Sequence, residues 1–326
     1  MLKFIFFVTA FIFVKADLPT LTIYTYSSFT QSWGTAPKIK KIFEEANHCH
    51  LKFVTTTTSI GTLRKVQLEG KRTQADIVLG LDTSLISMAK KTNIFVKHDV
   101  NLSKMSLPFG YNDSYFVPYD YNYFAFVYNS DKLKSPPTSF EALANMPEDF
   151  KIIIQNPRSS TIGFGFVLWV QKIYADKAEE YWHKLSKHIL TITKGWSEAY
   201  GLFLRGEADM VLSYTTSPAY HILEENRTNI KSAIFTEGHY GQIEVAGIVK
   251  YSKQKALANK FLSFMHSKAF ATIIPTTNWS YPVVKTTLPD VYSQIHKPSK
   301  MLMLESETVE KNRNRYISIW RGAIHK

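Results

Sequence analysis

Large aromatic side chains stand at several places where the sequence predicts loops after β-strands. Ligands bind at the carboxyl ends of the strands in open α/β sheets, where Gly, Asp and Ser would ordinarily dominate the loops. The aromatic residues in or beside these loops are Tyr26, Trp33, Trp196, Tyr214, Tyr220 and Trp279. Loop packing adequately explains any single ring, but a ring facing a cation contributes about 0.5–2 kcal/mol. Several rings together therefore predict a box for a flat or cationic ligand.

Polar residues that could complete such a box lie near the same loops. Hydroxyl groups at the start of a helix, together with its free N–H groups, can hold a phosphate or a hydroxyl tail, although each is equally explained as a routine helix cap. The hydroxyl candidates are Thr58, Ser59, Ser160, Thr161, Thr215, Thr216 and Ser217. Asp82 and Asp120 are the carboxylates best placed to balance a buried cation. Asp120 has an alternative interpretation as a hydrogen-bonding group at a hinge.

One segment favours a different chemistry, that of a secreted serine hydrolase. Gly195-Trp196-Ser197-Glu198-Ala199 approaches the nucleophile-elbow pattern G-x-S-x-G. Ser197 would then be the nucleophile, with Asp209 and His239 as its partners. The last position is Ala rather than Gly, and Ser197 is equally well explained as a helix N-cap. We keep the hydrolase as the alternative hypothesis.

His48-Cys49-His50 brings three metal-ligating residue types together. On a strand, however, the cysteine would point away from both histidines, and the chain has no zinc-ligand spacing. Cys49 is the only cysteine, so no intramolecular disulfide can form. We predict no metal site.

Alternating strand and helix periods position these candidate residues. The first half predicts strands at 21–25, 51–55 and 75–79 and helices at 37–46, 60–69 and 84–90. The second half predicts strands at 151–154, 189–193 and 208–212 and helices at 162–174, 178–187, 197–205 and 218–225. Such alternation predicts two α/β units, each with a parallel sheet covered by helices.

Two long apolar segments are predicted to connect the α/β units. Residues 115–128 form an aromatic extended segment, and residues 242–250 form another long strand. The first would cross between the units and the second would return. Helices are predicted after the return at 254–266, near 268–274 and at 307–321.

The N-terminus predicts export. Lys3 precedes an apolar run at 4–14, and Val14-Lys15-Ala16 suits a signal peptidase, so we expect cleavage after Ala16. The run is too short to span a bilayer. The formal net charge of the 326-residue chain is +12, but its lysines are dispersed among acids, which disfavours nucleic-acid binding.

Several segments together resemble a known family, the bacterial periplasmic thiamine-binding proteins, which are receptors of ATP-binding-cassette (ABC) importers. The matching segments are 21–26 (LTIYTY), 75–82 (ADIVLGLD), 116–128, 193–204 (TKGWSEAYGLFL), 212–225 (LSYTTSPAYHILEE) and 275–282 (PTTNWSYP). The similarity extends over essentially the whole mature chain.

The resemblance implies a non-enzymatic, monomeric receptor in the periplasm with a two-lobed α/β fold, the type II periplasmic-binding-protein fold. The lobes would be mostly parallel sheets flanked by helices, joined by crossing strands at a hinge. The predicted divisions are a signal peptide at 1–16, a first lobe at 17–121 and 246–326, and a second lobe at 122–245. The implied ligand is thiamine or its mono- or diphosphate, delivered to an inner-membrane ABC permease.

The resemblance also implies which residues contact the ligand. Taken with the loop candidates, the predicted ligand-binding set is Tyr26, Trp33, Thr58, Ser59, Ser160, Thr161, Trp196, Tyr214, Thr215, Thr216, Ser217, Pro218, Tyr220 and Trp279. Another small cationic solute or a ferric ion remains an alternative within the same class. Iron is disfavoured because Tyr214 is followed by Thr, whereas paired tyrosines ligate iron in related receptors. Thr58-Ser59 departs from the family pattern of an acidic residue and glycine, so a carboxylate is missing from that loop.

Overall fold

The computed structural model describes residues 17–324, and the predicted signal peptide at 1–16 lies outside them. The first α/β unit and the crossing that follows it comprise β1 (Thr20–Tyr26), α1 (Thr35–Asn47), β2 (His50–Thr56), α2 (Ser59–Glu69), β3 (Ile77–Asp82), α3 (Ile86–Lys91), β4 (Phe95–Val96) and β5 (Phe116–Asn129). Strand β1 pairs in parallel with both β2 and β3. The predicted α/β alternation is therefore confirmed in this half.

The second unit has the same character. It comprises α4 (Phe140–Ala144), β6 (Ile152–Gln155), α5 (Thr161–Tyr174), α6 (Ala178–Ser186), β7 (Ile189–Thr193), α7 (Trp196–Leu204), β8 (Met210–Tyr214), α8 (Ser217–Glu225) and β9 (Ile230–Ser232). Strand β6 pairs in parallel with β7 and β8. We call the unit built on β1–β3 the first lobe and the unit built on β6–β8 the second lobe.

The chain ends with β10 (His239–Val249), α9 (Lys255–Met265), α10 (Lys268–Ile273), β11 (Tyr281–Pro282), β12 (Met301–Leu302) and α11 (Ser306–Ile324). The four short strands β4, β9, β11 and β12 and the helix α4 were not predicted. Two or three extended residues leave almost no periodicity in a sequence. Among residues 17–324, no helix is both long and apolar enough to cross a membrane.

Strands β5 and β10 join the lobes, as the sequence predicts. The strand order is β2-β1-β3-β10-β5-β8-β6-β7. Strand β5 pairs with β10 through its first half and with β8 through its second half, where Phe124 lies opposite Tyr214. Both strands are buried along almost their whole length, which explains their continuous apolar character.

Each lobe has its own apolar core. Trp169, Trp182 and Phe140 pack among the helices of the second lobe, whereas Phe43 and Phe261 pack in the first. Burying an aromatic side chain stabilises a core by about 1.5–3 kcal/mol. Each lobe is therefore stabilised by buried aromatic residues of its own.

Helix α11 contacts both lobes, although the sequence prediction assigned 246–326 to the first. Val309, Tyr316 and Trp320 join the apolar core of the second lobe. Arg313 lies 3.8 Å above the ring of Phe164, on α5, and its Nη1 donates to the carbonyl of Ser84 beside α3, at 3.5 Å. The pattern of an amphipathic helix gives no sequence signal for which lobe it covers.

Candidate functional site

A cavity of about 320 Å³ lies where strand-end loops of both lobes meet the crossing strands. Its volume is at the lower end of the range for small-molecule sites. The lining residues come from the loops after β1, β2, β6, β7 and β8, from β10, and from the segment before β11. The cavity therefore occupies the position that the α/β topology predicts for a ligand.

One wall of the cavity is a column of aromatic rings from the second lobe. The rings of Trp196 and Tyr200 stack 4.9 Å apart, and Tyr200 stacks on His221 at 5.8 Å. Nε1 of Trp196 donates to Oγ of Ser213 at 2.8 Å. This hydrogen bond and the stacking fix the indole before any ligand arrives.

A second aromatic pair stands nearby. Tyr220 and Trp279 form an edge-to-face contact with ring centroids 5.3 Å apart. Trp279 has a positive φ of 53°, which few non-glycine residues adopt. Its buried Nε1 has no hydrogen-bond partner within residues 17–324. The positioned Trp279 ring lines the cavity, where an aromatic surface is suited to binding a flat or cationic ligand.

Behind the aromatic column, His221 is buried and hydrogen-bonded on both ring nitrogens. Nδ1 lies 2.7 Å from the carboxylate of Glu225, and Nε2 lies 2.8 Å from the hydroxyl of Tyr200. Burial lowers the pKa of His221 against the opposing effect of Glu225. A neutral imidazole can donate to Glu225 and accept from Tyr200, so it holds Tyr200 against Trp196.

The opposite side of the cavity is acidic. Oε2 of Glu244, on β10, accepts from the hydroxyls of Tyr26 at 2.8 Å and Tyr119 at 2.7 Å. Nδ2 of Asn278 donates to the same oxygen at 3.2 Å and to Asp120 at 2.6 Å. Burial raises the pKa of Glu244 to about 7, against hydrogen bonds that lower it.

Two carboxylates flank Glu244 on the neighbouring strands. The sheet register places Glu244 opposite Asp82 of β3 and opposite Asp120 of β5. Burial, together with the charge of Glu244, raises the pKa of Asp120 well above its usual range. Burial also raises the pKa of Asp82. We call Asp82, Glu244 and Asp120 the carboxylate row.

Irregularities on both sides of β10 create this register. The pairing shifts after Glu244 on the β5 side and after Val245 on the β3 side. Gly80 is the residue skipped on β3; its φ is +90°, and a Cβ there would come within 2.3 Å of the Tyr26 ring. Glycine therefore allows both the bulge and the close approach of Tyr26.

A buried glutamine links the two sides of the cavity. Oε1 of Gln242 accepts from the hydroxyl of Tyr214 at 2.6 Å. Its Nε2 donates to Asp82 at 3.1 Å and to Oγ1 of Thr161 at 3.4 Å. A residue of a crossing strand thus connects the first lobe with α5 and β8 of the second.

Hydroxyl groups at helix starts lie along the cavity, as predicted. Thr58 caps α2 by accepting from the N–H of Gly61 at 3.2 Å, and Ser160 caps α5 by accepting from Gly163 at 3.4 Å. The remaining lining residues of this kind are Ser59, Thr161, Ser197, Thr216 and Ser217. Four helices, α2, α5, α7 and α8, therefore begin at the cavity, each with a positive dipole end there.

Comparisons with known proteins agree with this arrangement. Residues 25–271 match the family model of the bacterial extracellular solute-binding proteins. The chain belongs to this family. Its similarity to the thiamine-binding periplasmic protein of Escherichia coli (strain K12) is 49% identity over 318 residues, covering 98% of this chain and 96% of that protein. The corresponding protein of Haemophilus influenzae is 39% identical, covering 94% of this chain and 93% of that protein.

Solved structures of solute-binding proteins share the fold. A periplasmic thiamin binding protein, 49% identical, matches with a TM-score of 0.92 over 95% of this chain and 97% of that chain. The ferric binding protein from Campylobacter jejuni matches with a TM-score of 0.79 at 16% identity, over 93% and 99% of the two chains. The predicted type II fold is confirmed.

Most of the predicted binding residues of this solute-binding protein line the cavity. Those that do are Tyr26, Trp33, Thr58, Ser59, Ser160, Thr161, Trp196, Tyr214, Thr216, Ser217, Tyr220 and Trp279. Thr215 and Pro218 are buried and do not line it. Asp82 and Asp120 also lie behind the lining, so their contact with the cavity runs through Gln242, Asn278 and Glu244.

Sequence reasoning missed several polar lining residues. They are Glu244, Gln242, Asn122, Asn278, His221 and Glu225. Glu244 and Gln242 interrupt the long apolar strand predicted at 242–250, and buried polar residues in such a strand are uncommon. Their presence there was a signal of function. His221 and Glu225 have helical i, i+4 spacing and gave no such signal.

The hydrolase alternative is wrong. Both ring nitrogens of His239 bond to backbone groups of the second-lobe core, Nδ1 to the carbonyl of Phe124 at 2.7 Å and Nε2 to the N–H of Phe235 at 2.9 Å. The Asp209 carboxylate accepts from the N–H of Lys151. Neither partner is available to Ser197, and the family is one of solute-binding proteins.

Within 17–324, no group of three or more His, Cys, Asp or Glu side chains is arranged to hold a metal ion. Cys49 is buried as a free thiol.

Proposed function

We propose that this chain is a periplasmic receptor that captures thiamine between its lobes and delivers it to an ABC importer. The single observation that carries the proposal is a cavity that combines an aromatic wall, Trp196 with Tyr200, and the carboxylate of Glu244. Thiamine has the matching chemistry, because it contains a positively charged thiazolium ring and a flat aminopyrimidine. The names and the 49% and 39% identities of the relatives support the same ligand.

The phosphate esters of thiamine are further candidate ligands. Ser160 and Thr161 begin α5 at the cavity, and the positive end of a helix dipole favours an anion. In this site Thr58 and Ser59 supply hydroxyls and no charge. Of the two lining carboxylates, Glu225 is already bonded to His221 and Arg227, so we assign the balance of the thiazolium charge to Glu244. The loop at Thr58 adds no negative charge that would repel a phosphate.

The proposal includes the predicted set of ligand-binding residues. It also includes a first lobe at 17–121 with 246–326, a second lobe at 122–245, export with cleavage after Ala16, and action as a monomer. Closure of the lobes would bring the helix starts of α2 and α5 onto the ligand. Strands β5 and β10 would act as the hinge, because they are the long strands that pair across both lobes.

Titration of the purified mature protein with thiamine, followed by tryptophan fluorescence and by calorimetry, tests the proposal. Trp33, Trp196 and Trp279 line the cavity, whereas Trp169, Trp182 and Trp320 lie in the second-lobe core. We expect saturable quenching and heat at micromolar thiamine, and a smaller quench in Trp196→Phe. Parallel titrations with thiamine monophosphate, thiamine diphosphate and ferric ion show which of these ligands the protein prefers. No heat and no change in fluorescence with thiamine would overturn the proposal.

A further inference from the structure

The carboxylate row differs from an ordinary buried acidic group because no cation forms a salt bridge with it within residues 17–324. Arg313 is the positive charge that acts on Asp82, but its guanidinium lies over Phe164 instead. Buried carboxylates without cations retain protons instead of ionising together.

Every polar group that faces Glu244 is a neutral donor or another acid. Tyr26 on β1, Tyr119 on β5 and Asn278 before β11 donate to its Oε2. On the flanking strands, Asp120 and Asp82 repel its negative charge. The negative charge of Glu244 also helps to raise the pKa of Tyr214 on β8, after the larger effect of burial.

Asp120 provides a second, independent sign of an incomplete site. It is only 1% exposed, and its Oδ1 has no hydrogen-bond partner within residues 17–324. A buried carboxylate oxygen without a partner is costly unless the group is protonated or a positive charge is bound nearby. Glu244 lies between this group and the other acid of the row, and it also lines the cavity.

We propose that the carboxylate row exchanges a proton for the positive charge of the ligand, with Glu244 as the residue that faces it. The inference rests on the proposed function. In the free protein the row holds a proton that the thiazolium displaces on binding. Because thiamine carries a permanent charge, each binding event releases up to one proton, shared between Glu244 and its neighbours.

The sign of the pH dependence follows directly. Burial raises the pKa of Glu244 in the free protein to about 7, and a cation beside it lowers that pKa. Binding therefore releases a proton below about pH 7, and affinity rises by as much as about tenfold per pH unit in that range. Above that range the acid is already ionised, and affinity becomes constant.

Calorimetric titration of the mature wild-type protein with thiamine near pH 7, in two buffers that differ in ionisation enthalpy, counts the protons released. We expect a difference in apparent heat that corresponds to a substantial fraction of one proton per thiamine. Thiamine binding with the same heat in both buffers would overturn this inference and leave the proposed function intact. Absence of binding would overturn both.

Two substitutions locate the proton. Glu244→Gln should abolish its release and weaken thiamine binding about 30-fold or more, with a flat pH profile. The matched control is Glu69→Gln, at the end of α2 and outside the residues that line the cavity. Against the effect of burial, Lys65 and Thr73 lower the pKa of Glu69. Binding and proton release should both persist in Glu69→Gln; full release in Glu244→Gln would contradict the assignment. Thermal unfolding of both variants monitors the fold.

Discussion

The two sides of the cavity are built in different ways. The aromatic side is largely local: Trp196 and Tyr200 lie one turn apart on α7, and Tyr220 follows β8 on α8. The acidic side is non-local, because Asp82, Glu244 and Asp120 come from three strands that are far apart in the sequence. The first can be predicted from neighbouring residues, whereas the second depends on strand register.

The two sides also differ in how they affect the stability of the ligand-free protein. Stacked rings bury apolar surface and stabilise the fold without a ligand. Adjacent buried carboxylates repel each other and raise the free energy of the folded state at neutral pH. The acidic side is therefore destabilising until a cation arrives, as is common at functional sites.

The largest effect is expected from Gly80→Ala, which attacks the register of the acidic side. An alanine Cβ would clash with the Tyr26 ring and strain a backbone with φ of +90°. We expect the free energy of unfolding to fall by about 2–5 kcal/mol, measured by urea denaturation, with weaker thiamine binding. Gly110→Ala is the control, because a Cβ there meets nothing within 4 Å. Equal stability of the two variants would show that the bulge tolerates a side chain.

Glu244→Gln should stabilise the free protein at high pH. The folded-state pKa of Glu244, about 7, is above the ordinary value of 4.5, so stability is lost as the pH rises from about 4.5 to 7. A neutral amide can accept the same hydroxyls without that loss. We expect about 1–3 kcal/mol more stability than wild type at about pH 8 and no such gain at about pH 4. A variant less stable than wild type at high pH would contradict this account of the acidic side.

Trp196→Ala tests the aromatic side. Loss of a ring that faces the cation should weaken thiamine binding by about 1–2 kcal/mol, measured by calorimetry, while Trp196→Phe keeps most of the affinity. The proton release should be unchanged in both variants, since the acidic side is intact. An unchanged affinity in Trp196→Ala would assign this ring to loop packing alone.

Ser213→Ala should have the smallest effect. It removes the acceptor for Nε1 of Trp196 and the neighbour of the Ser217 hydroxyl, but leaves the indole stacked on Tyr200. We expect binding to weaken by about 0.5–1.5 kcal/mol, which is less than for Trp196→Ala. A loss as large as that of Trp196→Ala would mean that the hydrogen bond, rather than the ring, holds the ligand site together.

The sequence was sufficient for most of the fold. The alternation of periods predicted both α/β units, and the apolar segments at 115–128 and 242–250 predicted the crossing strands that the structure has as β5 and β10. The sequence did not predict short strands such as β11 or the packing of α11 on the second lobe. Such features depend on contacts between residues that are distant in the sequence.

In the candidate site, too, local features were predicted and features that depend on distant residues were not. The aromatic and hydroxyl residues at strand ends were predicted from their loops, and most of them line the cavity. The carboxylates Asp82 and Asp120 were predicted near the ligand, yet they lie behind the cavity lining. The polar residues Gln242 and Glu244 in an apolar strand were a signal of function, but the position of Glu244 between Asp82 and Asp120 depends on the alignment of β3, β10 and β5. No local pattern reveals that alignment.

A crystal structure of the thiamine complex tests the central claim most directly. We predict that thiamine occupies the cavity, with a ring face against the aromatic side formed by Trp196, Tyr200 and Tyr220. The carboxylate of Glu244 should be the nearest negative charge to the thiazolium. Thiamine bound outside this cavity, or with its positive ring facing away from Glu244 and closest to another acid, would contradict the account.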